Sequence, residues 1–197
     1  MTVYRNIGEF LEFINISNEE FSLFEWKPQR SFRRYDLDLN IVKDNPISNI
    51  FFHKDKGNMK IVHIRMHNLI YTVGASTEVQ FQLLEALLER VDLEFNEMYD
   101  VGIITSYADF NPAMFNDFRD KMVGIITNFA VLDLVKKIQV ECRVCKRVLP
   151  LFVKRSMIDN ADSYPVPIVY VHNGHAILCF IDQNFHHRGV ELVNITG

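Results

Sequence analysis

Glycine is scarce in this chain of 197 residues, with eight in all, and none stands at Walker or dinucleotide-loop spacing. No Gly-x-Ser-x-Gly elbow is present. These absences lower the case for nucleotide hydrolysis and for serine-hydrolase chemistry. No run of about 18 apolar residues occurs, so no segment is expected to span a membrane. The first residues lack a cationic, apolar, small-residue secretion signal. Met1-Thr2 opens no myristoylation motif, and no prenylation box follows. The expectation is a cytoplasmic protein, peripheral at a membrane only through a partner. A basic excess is also missing: 21 Lys and Arg stand against 25 Asp and Glu, for a net charge of −4. Dedicated nucleic-acid binders usually carry the opposite balance. Two local basic runs (Arg30, Arg33, Arg34 and Lys146, Arg147, Lys154, Arg155) read first as solvated faces, and second as a patch for phosphates or an anionic membrane. Cysteine is rare and odd in number, at three, and two of the three sit three positions apart. Without a secretion signal, that spacing points to metal rather than to a disulfide.

What is plentiful is apolar surface. Hydrophobic residues make up 48% of the chain, and sixteen are Phe. That is enough for one large domain, or for a domain with a small module. Ile7, Phe10, Leu11 and Ile14 fall at helical spacing and predict a short helix over residues 6–14. Residues 21–26 and 32–39 alternate and predict a hairpin around Pro28. Residues 47–53, 60–66 and 69–73 read as strands, with His67-Asn68 forming a tight turn between the last two. A helix is predicted over 78–98, capped by Thr77 and Gln80, with Leu84, Leu87, Val91, Phe95 and Met98 as its buried stripe. Glu85, Glu89 and Arg90 fall on its wet side, and Asp92, Glu94, Glu97 and Asp100 read as helix surface. Gly102-Ile103-Ile104 reads as a strand. Asn111-Pro112 starts another helix, with Phe115, Phe118, Met122 and Ile125 facing inward. Beyond residue 130, a short helical stretch (VLDLVKK) leads into β-rich sequence with an Asn173-Gly174 turn. The fold class expected is α/β (α+β): an antiparallel sheet with helices packed on it over 1–129, and a small β-rich module over 130–197.

One constellation carries chemistry. Cys142 and Cys145 form Cys-x-x-Cys, and His172 and His175 form His-x-x-His. Two thiolates and two imidazoles are the ligand set of a closed tetrahedral zinc site. Asn-Gly is the strongest two-residue hairpin signal, and the residues flanking it pair across the strands with Cβ atoms about 5 Å apart. Both His side chains can therefore reach one ion. Cys179 shares their face but lies about 13 Å along the strand, which assigns it to the core. The alternative is an empty, reduced Cys pair with an exposed His pair. A catalytic zinc would need an open position and a carboxylate base, and Asp182 is the nearest in sequence. His186-His187-Arg188 reads as a solvated strand end, or else as an anion site or substitute ligand. His63 and His67 read as structural or exposed.

The run Lys60-Ile61-Val62-His63-Ile64-Arg65, then Asn68-Leu69-Ile70-Tyr71-Thr72-Val73, resembles the longin-like fold of small adaptin chains and related trafficking domains. That family opens with a strand pair and a helix. Its central hairpin precedes a long amphipathic helix, a strand and a final helix. The tail Phe180-Ile181-Asp182-Gln183-Asn184-Phe185, with Arg188-Gly189, is similar to a small C-terminal module of Asgard-type archaeal proteins, where it sits beside longin, roadblock or GTPase domains. The resemblance implies a non-enzymatic adaptor or scaffold. Its partner would be a small GTPase or a longin- or roadblock-type chain, and a homodimer is within its scope. The alternatives are a zinc-module nucleic-acid binder using the basic run over 143–155, and a zinc-dependent hydrolase.

Overall fold

The chain divides into two compact units, Met1–Leu132 and Asp133–Gly197, and the computed structural model describes residues 4–29, 47–106 and 111–193. The architecture is α+β, with antiparallel sheets and a few helices.

The first unit is built on strands β1 (Leu11–Ser17), β2 (Ser22–Trp26), β3 (Phe51–Lys56), β4 (Met59–Met66) and β5 (Leu69–Ser76). They form one sheet in the order β2-β1-β5-β4-β3. The helix expected over 6–14 is instead a 3-10 turn, Ile7–Glu9, that leads into β1. The apolar spacing misleads because β1 lies between β2 and β5 and is buried on both faces. A strand buried on both faces loses its period-two signature. The partner strand expected over 32–39 lies outside the described residues, and β2 pairs with β1. The β4–β5 turn follows expectation: His67 and Asn68 both have positive φ, 50° and 64°, as a type I′ hairpin requires.

Helix α1 (Phe81–Met98) packs on β4 and β5. It starts later than predicted. Gln80 occupies the cap position and makes no side-chain cap, so the Thr77–Gln80 capping box is not formed. Leu84, Leu87, Val91 and Phe95 are fully buried, whereas Met98 is exposed. Two acids placed on the wet side are buried. Glu85 accepts from His53 Nε2 at 2.7 Å, and the His53 ring stacks on Phe81. Glu94 sits between Arg90 and Lys121. The expected strand at Gly102-Ile103-Ile104 is a helix, α2 (Val101–Ser106). Its start is set by Asp100, whose Oδ1 accepts from Ile103 N–H and whose carbonyl accepts from Ile104 N–H. Asn111 caps the 3-10 turn Pro112–Phe115, which runs into α3 (Asn116–Thr127). Phe115, Phe118, Met122 and Ile125 are all buried.

The sheet face opposite Tyr71 and Val73 carries a polar cross-strand row, Glu25, Asn15, Thr72 and His63, that ends on Phe52. His63 is 4% exposed and stacks on Phe52. Burial pushes its pKa down to about 4, and the neighbouring His53 and Lys54 add to the effect. An unfolded His takes its proton near pH 6.5. His63 thus leaves stability intact above that pH and withdraws it as pH falls toward about 4, by up to about 3 kcal/mol. Urea unfolding at pH 7 and pH 4.5 should show that difference, and His63→Leu should narrow it. Parallel pH profiles for the two proteins would refute this assignment.

The second unit contains β6 (Val135–Glu141), β7 (Val148–Lys154), a one-turn helix α4 (Arg155–Asp159), β8 (Val166–His172), β9 (His175–Ile181) and β10 (His187–Val193). The predicted VLDLVKK helix is replaced by a 3-10 turn, Phe129–Leu132, and by β6. Asp133, at φ 49°, lies between them. β6 pairs with β7, and β10-β9-β8 form a second sheet. Ile138, Val140, Leu151, Val153, Ile168, Tyr170, Ile177 and Ile181 are among the residues that meet in the core of this unit. Among the described residues, no helix is long and apolar enough to cross a membrane.

Candidate metal centre

Two hairpin ends supply the site. The first joins β6 to β7. Cys142 N–H donates to the Arg147 carbonyl at 2.9 Å, and Lys146 N–H donates to the Cys142 carbonyl at 2.8 Å. Lys146 takes a left-handed conformation, φ 58°, that lets the chain reverse. The resulting knuckle aims the backbone N–H groups of Cys145 and Val144 at the Cys142 sulfur. The Cys145 N–H contributes most to lowering the Cys142 thiol, to about 6; burial opposes it, and His172, Val144 and His175 add to it. A thiol held this way is prepared to be the thiolate that binds metal.

The second end is the β8–β9 turn. Asn173 and Gly174 have φ of 47° and 76°, the type I′ geometry expected from the dipeptide. His172 and His175 pair directly across the strands. Their rings lie 5.2 Å apart, nearly perpendicular.

The two ends meet. Cys142 Sγ lies 3.7 Å from His175 Nδ1, and Cys145 Sγ lies 4.0 Å from His172 Nε2. All four donor atoms fall within 4.8 Å of one another. Tetrahedral bonds of about 2.3 Å to sulfur and about 2.0–2.1 Å to nitrogen place sulfur and nitrogen roughly 3.5 Å apart. The two sulfur–nitrogen distances lie within about half an ångström of that spacing, and the widest pair of the set, at up to 4.8 Å, closes by about an ångström around one ion. Cys142 is fully buried and Cys145 half-buried, against the core just described. These four residues could hold a metal ion.

The other candidates fall elsewhere. Cys179 is completely buried in the core, where burial pushes its thiol up to about 11. It is not part of the donor cluster. Asp182 is committed to its own turn: its Oδ1 accepts from the N–H groups of Asn184 and His186, and its Oδ2 pairs with Arg188 at 2.6 Å. Those contacts, led by the His186 N–H, hold its carboxyl below the usual range. His186 and His187 are exposed and stand outside the donor set. In the first unit, His67 Nδ1 lies 3.2 Å from Asp92 Oδ1 at a hairpin turn, and Asp92 also accepts from Asn96. These contacts fasten a turn to α1.

Two features escape a reading of residue types. Lys146 does the work expected of a knuckle glycine, and Phe185 adopts φ 63° inside the Asp182 turn. The only sequence sign of the latter is Asp182 followed two residues later by Asn184. No family model matches the chain, and no curated protein matches it.

Proposed function

We propose that this protein is a non-enzymatic adaptor or scaffold: a longin-like α/β unit followed by a small module stabilised by structural zinc. The observation that carries the reading is the donor set itself. Four protein donors from two hairpin ends lie within 4.8 Å of one another. A structural zinc uses four such ligands, whereas a catalytic one keeps a position for water. Two thiolates with two imidazoles favour zinc over calcium or magnesium, which take oxygen ligands. Cys142, Cys145, His172 and His175 would hold the ion, and its contribution would be folding energy for the module.

Support for the longin-like half is the element order. A strand pair opens the unit, the β4–β5 hairpin precedes a long amphipathic helix, and a final helix closes it. The helix at Val101–Ser106 departs from the strand that the resemblance expects there. On this reading the partner is a small GTPase or another longin- or roadblock-type chain, met in the cytoplasm or at a membrane surface through that partner.

Cobalt substitution tests the non-catalytic assignment. Co(II) in place of zinc should give the visible absorption of a tetrahedral S2N2 site, and azide should leave the spectrum unchanged. A spectrum that shifts saturably with azide would reveal an open position and favour the hydrolase reading.

A further inference from the structure

The end of the Asp133–Gly197 unit that carries the four donors also presents a surface that the metal centre does not use. Cys142 and Cys145 turn toward the donor cluster, and the left-handed Lys146 reverses the chain between β6 and β7. The rest of that turn faces solvent: Arg143, Val144, Lys146, Arg147 and Val148 are all exposed. The β8–β9 turn lies beside it, because Cys142 Sγ meets His175 Nδ1 and Cys145 Sγ meets His172 Nε2.

The charge at this end runs against that of the whole chain, which carries a net −4. Residues 141–148 hold three cations and a single acid, Glu141, and residues 171–176 hold no carboxylate. Glu141 pairs across the strands with Val148, at the base of the turn. Among the described residues, the side chains of Arg143, Lys146 and Arg147 enter no ion pair. A bound zinc would not oppose them, since two thiolates cancel its charge. Lys154 and Arg155, which the sequence groups with this run, are engaged elsewhere: Lys154 is buried, and Arg155 pairs with Asp133.

Valine is interleaved with these cations. Val144 in the turn is 50% exposed, Val148 is 61% exposed, and Val171 beside the β8–β9 turn is 64% exposed. Behind Val171, Val169 is exposed on the same outer face of the edge strand β8. Single exposed apolar residues are ordinary, but several at one end of a small unit mark a contact surface. Nucleic-acid sites interleave their cations with aromatic rings for base stacking. The rings in these two turns are His172 and His175, which belong to the donor set. A bilayer interface takes both groups present here, with aliphatic side chains at the acyl boundary and Lys and Arg reaching anionic headgroups.

We propose that this end docks directly on an anionic bilayer, with Arg143, Lys146 and Arg147 at the headgroups and Val144, flanked by Val148 and Val171, at the acyl boundary. The adaptor reading, by contrast, brings the chain to a membrane only through a partner. The contact needs the paired turns, not an occupied metal site.

Sedimentation of the full chain with vesicles tests it, with metal content and melting temperature recorded for every variant. At about 50 mM salt, vesicles of phosphatidylglycerol and phosphatidylcholine in equal parts should bind at least about tenfold more tightly than phosphatidylcholine alone. Arg143→Gln with Arg147→Gln should weaken that binding by about twentyfold, at roughly a factor of five per cation. Val144→Ser should weaken it several-fold at low and at high salt, because apolar burial is not screened. Val131→Ser, at an exposed valine of the other unit, should change nothing. Zinc content and melting temperature should stay as they are in the unsubstituted chain. Three results would overturn the proposal. One is no vesicle binding at low salt, and another is binding that survives the substitutions at this end. The third is binding lost with the arginines, indifferent to Val144→Ser and matched by a single-stranded oligonucleotide, which would make this end a nucleic-acid site.

Discussion

Cys142→Ser is expected to abolish cooperative unfolding of the Asp133–Gly197 unit while the Met1–Leu132 unit keeps its own transition. The unit is small, and its core is a single cluster around Val140, Val153, Ile177 and Cys179. Small domains bury too little surface to be stable without a staple. Their net stability is roughly 0.05–0.15 kcal/mol per residue. A structural Cys2His2 zinc contributes on the order of 10 kcal/mol in isolated fingers. On the zinc reading, losing the ion removes more free energy than such a unit has in reserve. Serine also replaces the thiolate that the N–H groups of Cys145 and Val144 stabilise with a neutral hydroxyl, a poor zinc ligand. A chelator in excess should reproduce the effect on the unsubstituted chain. Calorimetry would show one transition lost and one retained. A Cys142→Ser chain with both transitions in place would remove the metal from the stability of this fold.

The second large effect is in the other unit. Phe95 is fully buried at the centre of an aromatic cluster. Its ring lies 5.0 Å from Tyr99, 5.1 Å from Phe118 and 5.9 Å from Phe115. Phe24 extends the cluster from β2, 4.9 Å from Phe118. One ring therefore connects α1 to the segment 111–127. Phe95→Ala should cost about 3–5 kcal/mol, the range for truncating a buried aromatic. Phe118, edge-to-face with Phe95 at 83°, accounts for roughly 0.5–1.5 kcal/mol beyond the area term. Met98 on the same helix is 38% exposed and serves as the control. Met98→Ala should cost under about 1 kcal/mol. Urea midpoints of the two variants measure the contrast, and equal midpoints would mean that the aromatic cluster is not the core.

These expectations show where the sequence was legible. Asn173-Gly174 announced its hairpin because few dipeptides accept positive φ at both positions. That turn alone was enough to bring His172 and His175 together. The α1 stripe was readable because it is a long amphipathic pattern on one face. Where the structure departs from the sequence pattern, the causes are physical. The β1 sequence reads as a helix because a central strand buries both faces, and its apolar residues then satisfy any period. The Gly102-Ile103-Ile104 stretch carried β-branched residues, but the Asp100 side chain and carbonyl close a helical turn over it. Polarity alone assigns Glu85 and Glu94 to water. Their partners His53 and Lys121 lie more than 25 residues away in sequence, beyond any local pattern. For the same reason, the meeting of Cys142 with His175 could be argued from ligand chemistry but not from spacing.

The central claim is that Cys142, Cys145, His172 and His175 hold one structural zinc. Elemental analysis of the purified chain tests it most directly, run beside Cys142→Ser and His175→Ala. About one zinc per unsubstituted chain and close to none in either variant are expected, with a lower melting temperature in both. A chain that is folded, cooperative and free of zinc would contradict it.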